Sequence, residues 1–263
     1  MQSITENQTS TRRNVLMNLM SESLGYNDIE RWQKASGIKD DGIFGIVSWN
    51  TLYKQLLKVQ EIDFEGYYFY QVYPKRQIVW HHSAGWDNAR GMFEWWKKDG
   101  SVHVATAIGI TDDGTVTKGY DEGFWAHHIG ARHPNNLQLN QQSVAVEICN
   151  WGGLTERGGK LYSWANAEVP LEKVIELNYK GTRYYERYTQ EEIEALKIWT
   201  LLVALRFDIP LDYREADMWQ VSSRALAGEA GIYTHNSYPV GKNDVSPQPH
   251  LIYMAMQLKQ YER

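Results

Sequence analysis

Cysteine is almost absent from this 263-residue chain: Cys149 stands alone, so no disulfide forms within the chain and a cysteine-rich zinc knuckle is excluded. Any metal must be held by histidine and carboxylate. An excess of positive charge is missing too. With 27 Lys and Arg against 32 Asp and Glu, the formal charge of -5 gives no field that would neutralise a phosphate backbone, and no nucleic acid partner is expected. No apolar run approaches ~20 residues, so no membrane insertion is expected. The stretch from Met1 to Gly25 has no basic segment leading into an apolar one, and no secretory signal peptide is expected. What the chain holds instead is aromatic surface, with 11 Trp and 17 Tyr, which serve cores and flat stacking sites in clefts alike.

Residues 1–10 read as a flexible polar tail. Val15, Leu16, Leu19, Met20 and Leu24 then recur at helical spacing. A short helix is predicted from Asp28 to Ser36, a glycine-rich turn around Asp41, Gly42 and Gly45, and a third helix carrying Trp49, Leu52, Leu56 and Leu57. This three-helix unit, residues 11–60, runs through "RWQKASGI", "DDGIFG" and "SWNTL". On Gln33, Gly37, Asp41, Gly42, Phe44 and Gly45 it resembles the peptidoglycan-binding-like domain found beside many cell-wall hydrolases; a helical cap packed on the main domain is the plain alternative.

From Glu61 onward strands and helices alternate. "QIVWHHSAG" reads as a buried strand over Gln77 to Trp80 entering a loop, and "ARGMFEWWKKDG" as a helix closed by Gly100. Val104 to Thr111, a turn at Asp112-Asp113-Gly114 and Thr115 to Lys118 form a hairpin. Ser143 to Cys149 is another apolar strand, and Thr189 to Arg206 a long helix opened by a Thr189/Glu192 capping box. The expected fold class is α/β: a mixed central β-sheet flanked by helices over residues 61–263, with the small three-helix domain before it.

Candidate chemistry lies in the histidines. His81 and His82 end one strand, His127 and His128 sit in "WAHHIG", and His235 opens "HNSYPVGKNDVSPQP", which also holds Lys242 and Asp244. A hydrolytic zinc site needs three protein ligands and one open position, and two imidazoles with one carboxylate supply that set. His81, His235 and Asp244 meet the requirement if the 234–249 loop folds against the His81 strand end. Glu147, inside the apolar "SVAVEIC", is costly to bury without a partner. A glutamate paired with a neighbouring Lys or Arg is its ordinary alternative, and a solvated loop charge is that of Lys242.

The ordered series "IVWHHSAG", "VATAIGITDDGTV", "WAHHIG", "SVAVEICNWGGL" and then His235, Lys242 and Asp244 resembles the zinc-dependent N-acetylmuramoyl-L-alanine amidases, over about residues 75–250. That superfamily includes T7-lysozyme-like amidases and animal peptidoglycan-recognition proteins. The resemblance implies Zn2+ held by His81, His235 and Asp244, with His82 turned away on the other side of the strand. It implies Glu147 as the catalytic carboxylate that moves the proton, Lys242 as an oxyanion stabiliser, and His128 at the substrate rim. Trp86 and Trp151 are candidate substrate contacts; Trp125 is a third tryptophan beside the motifs, with core packing expected for at least one of the three. The implied reaction cleaves the amide between N-acetylmuramic acid and L-alanine, peptidoglycan being the partner and a monomer the expected state. Synthesis in the cytoplasm and action on the wall follow, after phage-endolysin-like release or after delivery.

Three departures stand out: "KNDVSP" where relatives read Lys-x-Asp-Pro-Gly, Ala107 where they place histidine, and a long Trp164 to Tyr213 segment placed to shape the substrate groove. Two other readings stay open at this level, a non-catalytic peptidoglycan-binding protein and a zinc peptidase acting on the stem peptide.

Overall fold

The computed structural model describes residues 10–100, 103–238 and 244–263. Residues 1–9 of the expected tail and Lys242 lie outside the described residues. The chain opens with helices α1 (Ser10–Leu24), α2 (Ile29–Ala35) and α3 (Ile46–Leu56) and strand β1 (Lys58–Glu61). Next come β2 (Gln77–His82), α4 (Ala89–Lys98), β3 (Ile108–Ile110), β4 (Thr115–Lys118), α5 (Asn136–Gln141) and β5 (Ser143–Ile148). Five short strands follow: β6 (Gly153–Arg157), β7 (Lys160–Tyr162), β8 (Glu168–Val169), β9 (Val174–Tyr179) and β10 (Thr182–Glu186). The rest is α6 (Gln190–Phe207), α7 (Glu215–Met218), α8 (Ser223–Leu226), β11 (Gly231–Thr234) and α9 (Pro249–Gln257).

Local chemistry sets several of these bounds. Asp28 caps α2 by accepting from Arg31 N, and Thr189 and Glu192 close the capping box expected at the start of α6. Two bounds differ from the pattern in the sequence. β2 continues past Trp80 through both histidines, because His81 and His82 pair with Glu147 and Ile148 of β5. The strand expected from Val104 begins only at Ile108; Val104 makes an isolated bridge to His127, and Ala105 N–H goes to His127 O.

Six strands in the order β1-β4-β3-β5-β2-β11 form the central sheet, with β2 parallel to both neighbours. Because β2 and β5 lie inside the sheet with both faces covered, their sequences read as apolar runs. α6 covers one face, where Trp80 Nε1–H donates to Thr200 Oγ1 at 3.2 Å. Val79, Ala145 and Tyr233 on the other face pack with Leu139 of α5 and Ala225 of α8.

The N-terminal helices pack on α6 and share its core: Leu16, Leu19, Trp49 and Leu52 belong to one apolar cluster with Trp199 and Leu202. Trp49 Nε1–H donates to Leu202 O at 3.0 Å, and the Arg12 guanidinium donates to Leu205 O and Arg206 O near the C-terminal end of α6. Lys118 and Arg206 stand 5.4 and 4.6 Å over the Trp49 ring. Trp49→Ala is therefore expected to remove about 3–5 kcal/mol of stability. Urea unfolding followed by circular dichroism checks this, and the fall should come in a single transition, since the helices and the sheet share a core.

A second sheet, in the order β8-β7-β6-β10-β9, is antiparallel throughout and encloses its own small core of Trp151, Leu154, Leu161 and Val169. Two of its hairpins turn through Gly158-Gly159 and Lys180-Gly181, with positive φ at all four residues, as two-residue hairpin turns of this hand require. No described helix is long and apolar enough to cross a membrane.

Candidate metal centre

Strand register builds the site. His81 of β2 lies directly opposite Glu147 of β5, while Thr234, the last residue of β11, pairs with Trp80, so His235 emerges beside His81. Three reactive side chains thus meet at the carboxyl ends of three adjacent parallel strands, where open α/β sheets carry their sites. After β11 the chain makes a 3-10 turn at His235–Ser237. Asn236 ties the returning segment down: its amide donates to Val245 O at 2.7 Å and its Oδ1 accepts from Asp244 N at 3.2 Å.

Asp244 Oδ1 accepts from the backbone N–H groups of His82 and Val245, each at 2.8 Å, which aims Oδ2 at His235 Nδ1, 2.9 Å away. His81, His235 and Asp244 are all buried, and their ligand atoms lie within 4.8 Å of one another. Burial pushes the Asp244 carboxyl up, but the hydrogen bond and charge of His235, with His82 and His81 behind it, outweigh this and hold it well below the usual carboxylate range.

For neutral rings, the outer hydrogen bonds assign which ring nitrogens carry protons. Ser143 Oγ–H donates to Leu139 O at 2.6 Å, so the Oγ accepts from His128 Nε2–H at 2.7 Å. His128 Nδ1 is then an acceptor and takes the proton of His81 Nε2 at 3.1 Å. His235 Nε2–H donates to Ile129 O at 2.8 Å. With both rings neutral the two Nδ1 lone pairs face each other across 2.9 Å with Asp244 Oδ2 beside them, a place that either a metal ion or a proton held between His235 Nδ1 and Oδ2 fills. Three acceptors directed at one buried point repel unless a cation lies between them, and neutral imidazoles held by outer partners are how proteins present histidine to a metal. The donor set therefore fits a zinc ion.

His82 points to the other face, where its Nδ1 meets Tyr188 OH at 3.3 Å. It packs so closely on Gly152, at φ +73°, that a Cβ there would overlap its imidazole. Glu147 is half-buried and lines a cavity of roughly 250 Å3 together with His81, His128, His235 and Asp244. His128 sits beneath His81, and burial, then His235, pushes its imidazole well below the ordinary value, so it is neutral near pH 7. Trp86 is exposed and its ring centroid lies 5.7 Å from that of Trp151, which is largely buried. Trp125 has a core role, stacked on Phe69 at 4.0 Å.

Residues that the sequence did not single out complete the arrangement: Ser143, Asn236 and Glu186. Each acts through a partner distant in the chain, so only its polar character inside or beside an apolar run was visible. Glu186 Oε2 accepts from Trp151 N–H at 2.6 Å, and burial pushes its carboxyl up to about 7 despite that bond. A carboxyl raised on folding contributes stability that is complete below its unfolded value near 4.5 and is lost as pH rises towards 7. Wild-type stability should fall across that window by up to about 3 kcal/mol on this account. Glu186→Gln, which keeps an acceptor for Trp151 and does not ionise, should flatten the curve; urea unfolding at pH 5 and pH 8 measures it.

The sheet thus brings two imidazoles and Glu147 to its strand ends, with Asp244 beside them from the returning segment, an arrangement suited to metal-assisted hydrolysis. More particularly, the chain belongs to the N-acetylmuramoyl-L-alanine amidase family, whose sequence model matches residues 71–249, and it is an enzyme of peptidoglycan hydrolysis. Among solved structures it is similar to the N-acetylmuramoyl-L-alanine amidase LysC from Clostridium intestinale URNW, with 12% identity, 77% of this chain and 97% of that chain covered, and a TM-score of 0.44. It is similar to the Ph2119 endolysin from the Thermus scotoductus MAT2119 bacteriophage Ph2119, with 16% identity, 76% and 98% covered, and a TM-score of 0.40. It is also similar to the drosophila peptidoglycan recognition protein SD, with 14% identity, 76% and 94% covered, and a TM-score of 0.41. No curated protein matches the sequence.

Proposed function

We propose that the protein cleaves the amide bond between N-acetylmuramic acid and L-alanine at a zinc centre held by His81, His235 and Asp244. The observation that carries this is the convergence of His81 Nδ1, His235 Nδ1 and Asp244 Oδ2 on one buried point. Zinc held there would supply Lewis acidity towards an attacking water and towards the carbonyl oxygen. Glu147, facing His81 across the strand pair, accepts the proton of the attacking water at its carboxylate and returns it to the departing amine of L-alanine. His128 and Ser143 hold His81 in the tautomer that turns its Nδ1 lone pair towards the centre, and Ile129 O does the same for His235. Trp86 and Trp151, in contact with each other, are assigned as substrate contacts, and Lys242 is assigned to the oxyanion on its place in the motif alone.

Residues 11–60 form, in this reading, a wall-binding helical unit joined rigidly to the catalytic sheet. Its support is the turn that carries the resemblance: buried Gln33 accepts from Gly42 N at 2.9 Å and donates to Ile43 O and Ser48 Oγ. The enzyme acts as a monomer on the wall, reached by release or by delivery. Mass spectrometry of digested sacculi tests the reaction. Stem peptides with a free L-alanine amino terminus are expected; muramyl-peptide bonds left intact while the stem is cut would replace the amidase by a peptidase.

A further inference from the structure

A groove of roughly 510 Å3, in the size range of ligand clefts, is lined by β6 and β10 of the second sheet and by His82 and Ala84 at and just beyond the end of β2. His82 and Ala84 line both this groove and the cavity that holds Glu147, so the two lie side by side. Trp151 and Trp164 border it. Trp164 is 74% exposed, yet its indole N–H donates to Ala84 O at 2.6 Å, which holds the ring at the groove between segments 80 residues apart. Trp86, 73% exposed, leans on Trp151 at 47°. Two indoles left in water beside a reactive centre add nothing to the core, and exposed aromatic surface of this kind marks a ligand platform.

Charge distinguishes the two parts that peptidoglycan offers, its sugar strand and its carboxylate-bearing stem peptide. The guanidinium of Arg183, at the groove wall, is tied to Glu176 at 2.8 Å and lies over the Tyr184 ring. Glu156 adds an exposed negative charge to the same wall. Arg183 and Glu156 balance in charge among the described lining residues, so the groove offers no net positive field to a stem carboxylate, whereas flat indole faces suit neutral, acetamido-bearing pyranose rings.

Building on the amidase reading above, we infer that the second sheet adds a glycan subsite in which Trp164, with Trp86 and Trp151, stacks N-acetylhexosamine rings next to the muramic acid whose amide is cut. The enzyme then selects polymeric strands over isolated muramyl peptides. The test titrates tri-N-acetylchitotriose into the full chain and follows the indole N–H resonances by NMR. Saturable binding that shifts the Trp164 resonance is expected, with Trp164→Ala weakening it about tenfold. The same variant should lower the ratio of kcat/KM on sacculi to kcat/KM on a single-sugar muramyl peptide by about fivefold. Absence of saturable binding, binding within twofold of wild type in Trp164→Ala, or occupation of the groove by the sugar-free stem peptide instead would overturn the subsite. Loss of all amide cleavage with Trp164-dependent sugar binding intact would leave the subsite standing and remove the amidase reading.

Discussion

Glu147→Gln is expected to lower kcat on sacculi by about 10²–10⁴-fold, the range that a positioned general base contributes. The substitution keeps the shape and one oxygen of a half-buried side chain in β5 but removes its capacity to take up a proton at neutral pH. Because Glu147 stands outside the cluster of three ligands, bound zinc and the unfolding midpoint should stay at their wild-type values. That combination separates proton transfer from metal binding. Sacculus digestion at the wild-type rate would remove Glu147 from the reaction, and zinc lost together with activity would make it a ligand.

The second large effect is on the metal. Asp244→Asn keeps an Oδ1 acceptor for the N–H groups of His82 and Val245, so the loop remains pinned, but it takes away the negative charge beside the two Nδ1 atoms. Outer partners of metal ligands alone are worth about 10–100-fold in affinity, so loss of a ligand charge should exceed about 100-fold. Zinc per chain, measured by mass spectrometry of inductively coupled plasma after dialysis, should fall from one towards zero, and sacculus digestion with it. His235→Ala should behave in the same way. It also leaves Ile129 O without its donor, which makes Asp244→Asn the cleaner measurement. Full zinc occupancy in Asp244→Asn would place the metal elsewhere.

The sequence showed the ingredients of the centre more clearly than their assembly. Apolar runs flag β2 and β5 because both are buried on both faces, and strand alternation separates His81 from His82. That His81, Glu147 and His235 fall side by side is a matter of register between strands far apart in the chain, and no local pattern encodes it. The His81, His128, Ser143 relay was hidden for the same reason: its members lie 47 and 15 residues apart.

The second sheet went unread beyond the extra length noted at Trp164 to Tyr213. Its strands are two to six residues long and mostly exposed, so the alternation that marks a half-buried strand is weak. The pairs Gly158-Gly159 and Lys180-Gly181 were the available signal, since two positive φ values in succession mark a tight hairpin. The N-terminal helices were legible as helices, but the core they share with α6 was not, because Trp49 and Leu202 are 153 residues apart.

Anomalous scattering recorded at the zinc absorption edge from crystals grown with one equivalent of zinc tests the central claim most directly. The predicted result is a single strong peak about 2.0–2.2 Å from His81 Nδ1, His235 Nδ1 and an Asp244 carboxylate oxygen. A peak on His82 or His128, or no peak among these three side chains, would contradict it.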